Sequence, residues 1–255
     1  MDKTIELVNN IKDIQAMPSV IVKVLNVMKK PTVSMKELGD IVMYDQSLTI
    51  KILALVNSAY YGFSQQISSI NIALSLLGMV KVKNIIVAVA MKPMMSNAGD
   101  KELWKHSIRV AAGCEYLAKL TKIMDADEAF IAGFIHDVGK IVLNSTNPKM
   151  YAKVIELVNE GQPILDMEKK YFDSDHVRTG SLLANIISYH HNPSLSSIPV
   201  PCNLVCAVDK LMQEVFDPSL LDKDFLKTLG IDLNDVEELR KVIWQKADLL
   251  ISELT

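Results

Sequence analysis

The sequence predicts an all-α protein, a multi-helix bundle in two lobes. Three observations carry this. Apolar residues recur at spacings of three and four over most of the chain. Alternation of the strand type is almost absent. Gly and Pro, at 10 and 9 of 255 residues, are too sparse for a chain rich in turns. An apolar fraction of 49% and a charged fraction of 22% are ordinary for a globular protein of this length.

The first lobe is expected over residues 1–96. Ile5, Leu7, Val8, Ile11 and Ile14 mark a helix that ends before Pro18. Pro18 opens a second helix with Val20, Ile21, Val24, Leu25 and Met28 on its core face. Ser34 and Glu37 form a capping box for a helix over about 34–43. Asp45 caps another, Gln46 to Val56. Ser68 or Ser69 starts a helix through Leu77 that Gly78 ends. Met79 to about Met91 is strongly apolar and is expected to stop before Pro93. The short helices 34–43 and 46–56 have the look of a DNA-reading helix-turn-helix. The second carries one Lys and no Arg, so it could neutralise few phosphates, and packing is the better reading.

Ser96 to Asp100 is small and polar and is taken as the boundary. The second lobe, residues 97–255, then opens with a helix from Lys101 to about Met124, carrying His106. A helix from Ala126 to Val138 follows and holds the stretch FIAGFIHDVGK. Pro148 starts a helix to Asn159, and Pro163 one to Phe172. Asp173 or Asp175 caps a helix with His176 in its first turn, and His190 and His191 stand at its end. A helix to about Phe216 has Asp209 in its middle. Helices near 222–229 and 234–253 close the chain.

A net charge of −3 argues against a general nucleic-acid binder. Three Cys without disulfide-type spacing read as a reducing compartment. The polar opening MDKTIELVNN is unlike a signal peptide, and the longest apolar run, Ile85 to Met91, is far short of a membrane span. A cytoplasmic location is the expectation, with neither DNA nor a membrane as partner.

All five His lie in the second lobe. His136 and Asp137 are neighbours on one helix and can reach an ion off its edge. His106, His136, Asp137 and Asp209 would come from three helices, which is how bundle metal sites are built. His176, His190 and His191 could supply a second ion. Each residue also has a plainer reading. His136 and Lys140 favour the macrodipole at a helix C-terminus, where Gly139 ends the helix. Asp137 could pair with Lys140, and Asp209 could face solvent beside Lys210. His106 could lie on a helix surface.

The order His106, His136-Asp137 with Gly139-Lys140, then Asp209 resembles the H…HD…D signature of the HD superfamily. The resemblance is wider. MPSVIVKVLNVM, DQSLTIKILALVNSAYYG, INIALSLLGMVKVKNII, LWKHSIRVAAGCEYLA, DEAFIAGFIHDVGK and SDHVRTGSLLANIISYHH together are similar to the HDOD (HD-related output domain) family, over about residues 11–212. The resemblance implies an N-terminal helical lobe and an HD-like C-terminal lobe. It implies a bacterial signalling output that acts through partner proteins. The retained His106, His136, Asp137 and Asp209 imply a divalent metal ion (iron, manganese, zinc or magnesium), and His176, His190 and His191 a second. The alternative it implies is a metal-dependent phosphohydrolase or phosphodiesterase acting on a nucleotide or cyclic dinucleotide. Asp137 would then be catalytic, and Lys140 would offset charge on the phosphoryl oxygens. YHHNPSLSS has no GYP-type loop, a departure from cyclic-di-GMP phosphodiesterases. The last helix, VEELRKVIWQKADLLISEL, is expected to cover the C-terminal lobe, with a homodimer contact as the alternative.

Overall fold

A computed structural model describes residues 34–96, 102–181, 191 and 199–254. Its described residues are helical with no strand. In chain order the helices are α1 (Met35–Val42), α2 (Gln46–Val56), α3 (Ile70–Leu77), α4 (Met79–Ser96), α5 (Leu103–Thr121), α6 (Ala126–Ile135) and α7 (Val138–Thr146). Then follow α8 (Pro148–Asn159), α9 (Ile164–Phe172), α10 (His176–Ser181), α11 (Pro199–Leu211), α12 (Lys223–Thr228) and α13 (Val236–Leu254). The expected helices before Pro31 lie outside the described residues. No single described helix is long and apolar enough to cross a membrane.

The contacts divide the chain into two units. One holds Pro93–Ile243; the other holds the described helices up to Lys92 together with the chain from Trp244. In the second of these, α1, α2 and α3 pack on one another through Leu38, Val42, Leu48, Ile52, Leu55 and Leu74, all buried. Ser34 and Asp45 cap their helices as the sequence predicts, while Ser69 starts α3 without a side-chain cap bond. Ser34 Oγ accepts from the Glu37 amide at 3.1 Å and Asp45 Oδ1 from Leu48 at 3.0 Å. Lys51, the one cation of α2, donates to the Leu254 carbonyl at 2.8 Å. The last helix is therefore split between the units. Its first turns, up to Ile243, group with α5–α12, while Trp244 onward groups with α1–α4.

Pro93 does not stop α4, which runs on to Ser96. A proline there removes one hydrogen bond in the last turn, where few bonds remain to be lost.

In the larger unit α5 and α6 form the closest pair. Gly133 permits this approach, because a Cβ there would meet the Val110 carbonyl oxygen at 2.9 Å. α11 packs on both, and α8–α9 make a hairpin with its own small core of Leu143, Tyr151, Val154 and Phe172. Three helix limits differ from expectation. α5 begins at Leu103 and ends where Lys122 takes a left-handed conformation (φ 58°), its amide bonding Ala118. α11 ends at Leu211, not near Phe216, because Arg240 takes the carbonyls of Leu211 and Gln213 at 2.9 and 2.7 Å. The helix expected over 126–138 breaks at His136-Asp137, and α7 starts at Val138.

Candidate metal centre

The break between α6 and α7 is what builds the site. His136 closes α6, and its Nδ1 donates to the Gly133 carbonyl at 2.7 Å, which leaves Nε2 to face inward. Asp137 then turns the chain (φ −100°, ψ 11°) and directs its carboxylate to the same side.

Around Asp137 Oδ2 stand His136 Nε2 at 3.3 Å, Lys140 Nζ at 2.6 Å and His106 Nε2 at 4.0 Å. Asp209, in the last turn of α11, places Oδ1 3.0 Å from His106 Nε2 and 3.6 Å from His136 Nε2. Gln213 Nε2 donates to that oxygen at 3.0 Å and fixes its direction. On the other side, His176 Nε2 lies 3.4 Å from Asp137 Oδ1 and 3.2 Å from His191 Nε2. Asp137 thus offers one oxygen to each of two histidine sets. His106, His136 and Asp137 could hold one cation, and Asp137, His176 and His191 another.

His136, Asp137, His176 and Asp209 are buried. The side chains of His106 (19%) and Lys140 (17%) keep some exposure, and His191 is exposed, so the cluster opens to solvent along that edge. Burying carboxylates this deeply is costly without positive charge beside them. Burial pushes the Asp137 carboxyl up, but His136, Lys140 and His176 outweigh it and hold it well below the usual range. Asp209 is held low against burial by the hydrogen bonds from His106 and His136. Burial lowers His136, yet the two carboxylates outweigh it and raise it to about 10. Burial likewise lowers Lys140, and Asp137 more than offsets this, so its pKa is raised. The cluster therefore draws positive charge onto its own histidine and lysine. The nitrogen and carboxylate donors, their convergence and this electrostatic demand fit divalent cations.

The sequence singled out His106, His136, Asp137, Lys140, Asp209, His176 and His191, and the structure brings all seven together. His190 lies outside the described residues. Sequence reasoning missed Glu168 of α9, whose Oε2 accepts from His176 Nδ1 at 2.6 Å and from the His176 amide at 2.9 Å. Its signal was present: Ile164, Glu168 and Phe172 share one helical stripe, which places a carboxylate on a core face. Asp175, of the two acids expected to cap α10, is the one that does so, accepting from the Arg178 amide at 2.7 Å.

The profile of the HDOD domain matches residues 14–186, two thirds of the sequence and including the α6–α7 break. The chain belongs to the HDOD family. The matched stretch of the HDOD profile ends before His190, His191 and Asp209. An HDOD domain protein of unknown function from Geobacter sulfurreducens is 22% identical, with a TM-score of 0.75, over 94% of this chain and 96% of that one. A candidate phosphohydrolase from Shewanella amazonensis is 21% identical, with a TM-score of 0.73, over 98% of both chains. At these identities the likeness shows the fold. An uncharacterized protein of Treponema pallidum is 27% identical over 201 residues, which is 73% of this HDOD chain but 39% of the relative. The chain also covers 37% of a Bacillus subtilis relative, so it spans well under half of either.

Proposed function

We propose that this chain is a signalling protein whose larger unit, Pro93–Ile243, carries a two-cation centre of the phosphohydrolase type, open to a phosphorylated small ligand such as a nucleotide. The observation that carries this reading is the position of Asp137, with Oδ2 toward His106 and His136, and Oδ1 toward His176, beside which His191 stands. A structural metal site is closed by four protein ligands. Here two donor sets share one carboxylate, and among the described residues one edge of the cluster, at His106, Lys140 and His191, faces solvent.

Divalent cations held there would supply Lewis acidity toward phosphoryl oxygens. The imidazole-rich donor set favours iron, manganese or zinc over magnesium, which prefers oxygen ligands. Asp137 orients both histidine sets. Gln213 keeps Asp209 aimed inward. Lys140 stands at the open edge, where its ammonium can meet a phosphoryl oxygen.

A partner-binding output role draws on a separate observation. In the other unit Ile50, Ile72, Leu76 and Val80 are exposed apolar side chains, of a kind that signalling partners use. Turnover separates the two readings. Protein loaded with manganese or iron is tested against bis(p-nitrophenyl) phosphate and a panel of nucleotides and cyclic dinucleotides. Hydrolysis that is lost in Asp137→Ala supports the phosphohydrolase. Loaded protein that turns over none of them leaves the output role, with a metal centre that is not hydrolytic.

A further inference from the structure

The two histidine sets are held in different ways. His136 donates its Nδ1–H to a neutral backbone carbonyl, Gly133. His176 has a carboxylate instead. Glu168 is fully buried, and its Oε2 sits 2.6 Å from His176 Nδ1 and 2.9 Å from the His176 amide. A carboxylate oxygen accepts, so this geometry suits the ring tautomer that carries its proton on Nδ1. Nε2 is then left with its lone pair toward Asp137 Oδ1 and His191.

Glu168 is itself held rigidly. Tyr151 reaches its other oxygen, Oε1, at 3.4 Å. α9 is fixed to α8 by the packing of Tyr151, Val154 and Phe172 with Leu143. From the opposite side, the backbone of His176 presses on Gly139, where no Cβ fits. The ring of His176 is thereby set between α7 and α9 in one direction.

We propose that Glu168 is a positioning residue that commits His176 to the second cation, so that loading of the Asp137–His176–His191 position depends on it while the His106–His136–Asp137–Asp209 position does not. This rests on the two-cation reading above. The hydrogen bonds of Glu168 run to His176 and Tyr151. A carboxylate behind a ligating histidine fixes its tautomer and raises its basicity, and such partners typically govern metal affinity by about 10- to 100-fold.

The test uses the full chain, stripped of metal with a chelator and titrated with Mn2+ by calorimetry. In parallel, 15N NMR of the metal-free protein reads the protonation site of His176. Glu168→Gln keeps an acceptor for the His176 amide but removes the charge. Its second Mn2+ is expected to bind about 10- to 100-fold more weakly, with the first unchanged. The Nδ1–H signal of His176, present in the wild type, should be lost or shifted. Tyr151→Phe loosens Glu168 only at its other oxygen and should weaken binding of the second ion far less than Glu168→Gln does, with the first unchanged. Glu168→Gln with two wild-type affinities overturns the proposal, and so does an equal loss at both positions, which would mean a merely structural role. Wild-type protein that binds fewer than two ions defeats the two-cation reading itself, and this inference with it. That outcome is read on the wild type alone, so the two failures are distinct.

Discussion

Gly139 lies directly against the backbone of His176. A Cβ on Gly139 would overlap the His176 carbonyl oxygen and crowd its Cα. This contact joins the start of α7 to the start of α10 and sets the distance between Asp137 and His176. Gly139→Ala must push these elements apart. The loss expected is about 1–3 kcal/mol of stability, as for overpacking in a core, read by chemical denaturation. Binding of the second cation should weaken more than binding of the first.

Lys140 tests the chemistry without dismantling the cluster. It pairs with Asp137 Oδ2 but supplies no ligand atom to either cation position. Lys140→Ala should keep metal binding and lower turnover of a phosphodiester by about 100-fold, of the order seen when one charge-stabilising donor is removed. Loss of bound metal from Lys140→Ala would show that it holds the cluster together instead.

His136 gives a pH dependence of opposite sign for folding and for metal. Its pKa is raised from the ordinary 6.5 to about 10 without a cation. The stability it contributes to metal-free protein is therefore full below about pH 6.5. It declines as pH rises toward 10. A cation that takes Nε2 displaces that proton, so metal affinity should rise over the same interval, by up to about tenfold per pH unit. Calorimetry in buffers of different ionisation enthalpy measures the proton released.

The end of α13 is held by two lysines. Lys51 and Lys92 both donate to the Leu254 carbonyl, at 2.8 and 3.3 Å, where the helix leaves its last carbonyls unpaired. Ala247, Leu250, Ile251 and Leu254 form the buried stripe beside them. Lys51→Met with Lys92→Met should cost about 1–2 kcal/mol. Removing residues 234–255 should lower the melting temperature sharply. An unchanged melting temperature with loss of self-association would instead assign α13 to a homodimer contact.

Helix periodicity and capping chemistry made most of the fold legible. Asp45 and Gly78 mark helix ends by local rules, and the structure places them there. What escaped were features set by tertiary contacts. The stretch FIAGFIHDVGK has unbroken helical spacing, and only the fold shows why it breaks at Asp137. α11 looked longer because Arg240, which meets its end, is almost thirty residues away. The candidate ligands were legible because histidines and acids are costly in apolar helices. Their grouping around the two oxygens of Asp137 was not, since it depends on α10 meeting α7. Glu168 was overlooked because a lone Glu among Asp166, Lys169 and Lys170 resembles a solvated face.

The most direct test of the shared Asp137 is electron paramagnetic resonance of the metal-free chain titrated with Mn2+. The structure predicts two ions per chain with a spin-coupled spectrum, and loss of the coupling in Asp137→Ala. Wild-type protein that saturates at one uncoupled ion would contradict it.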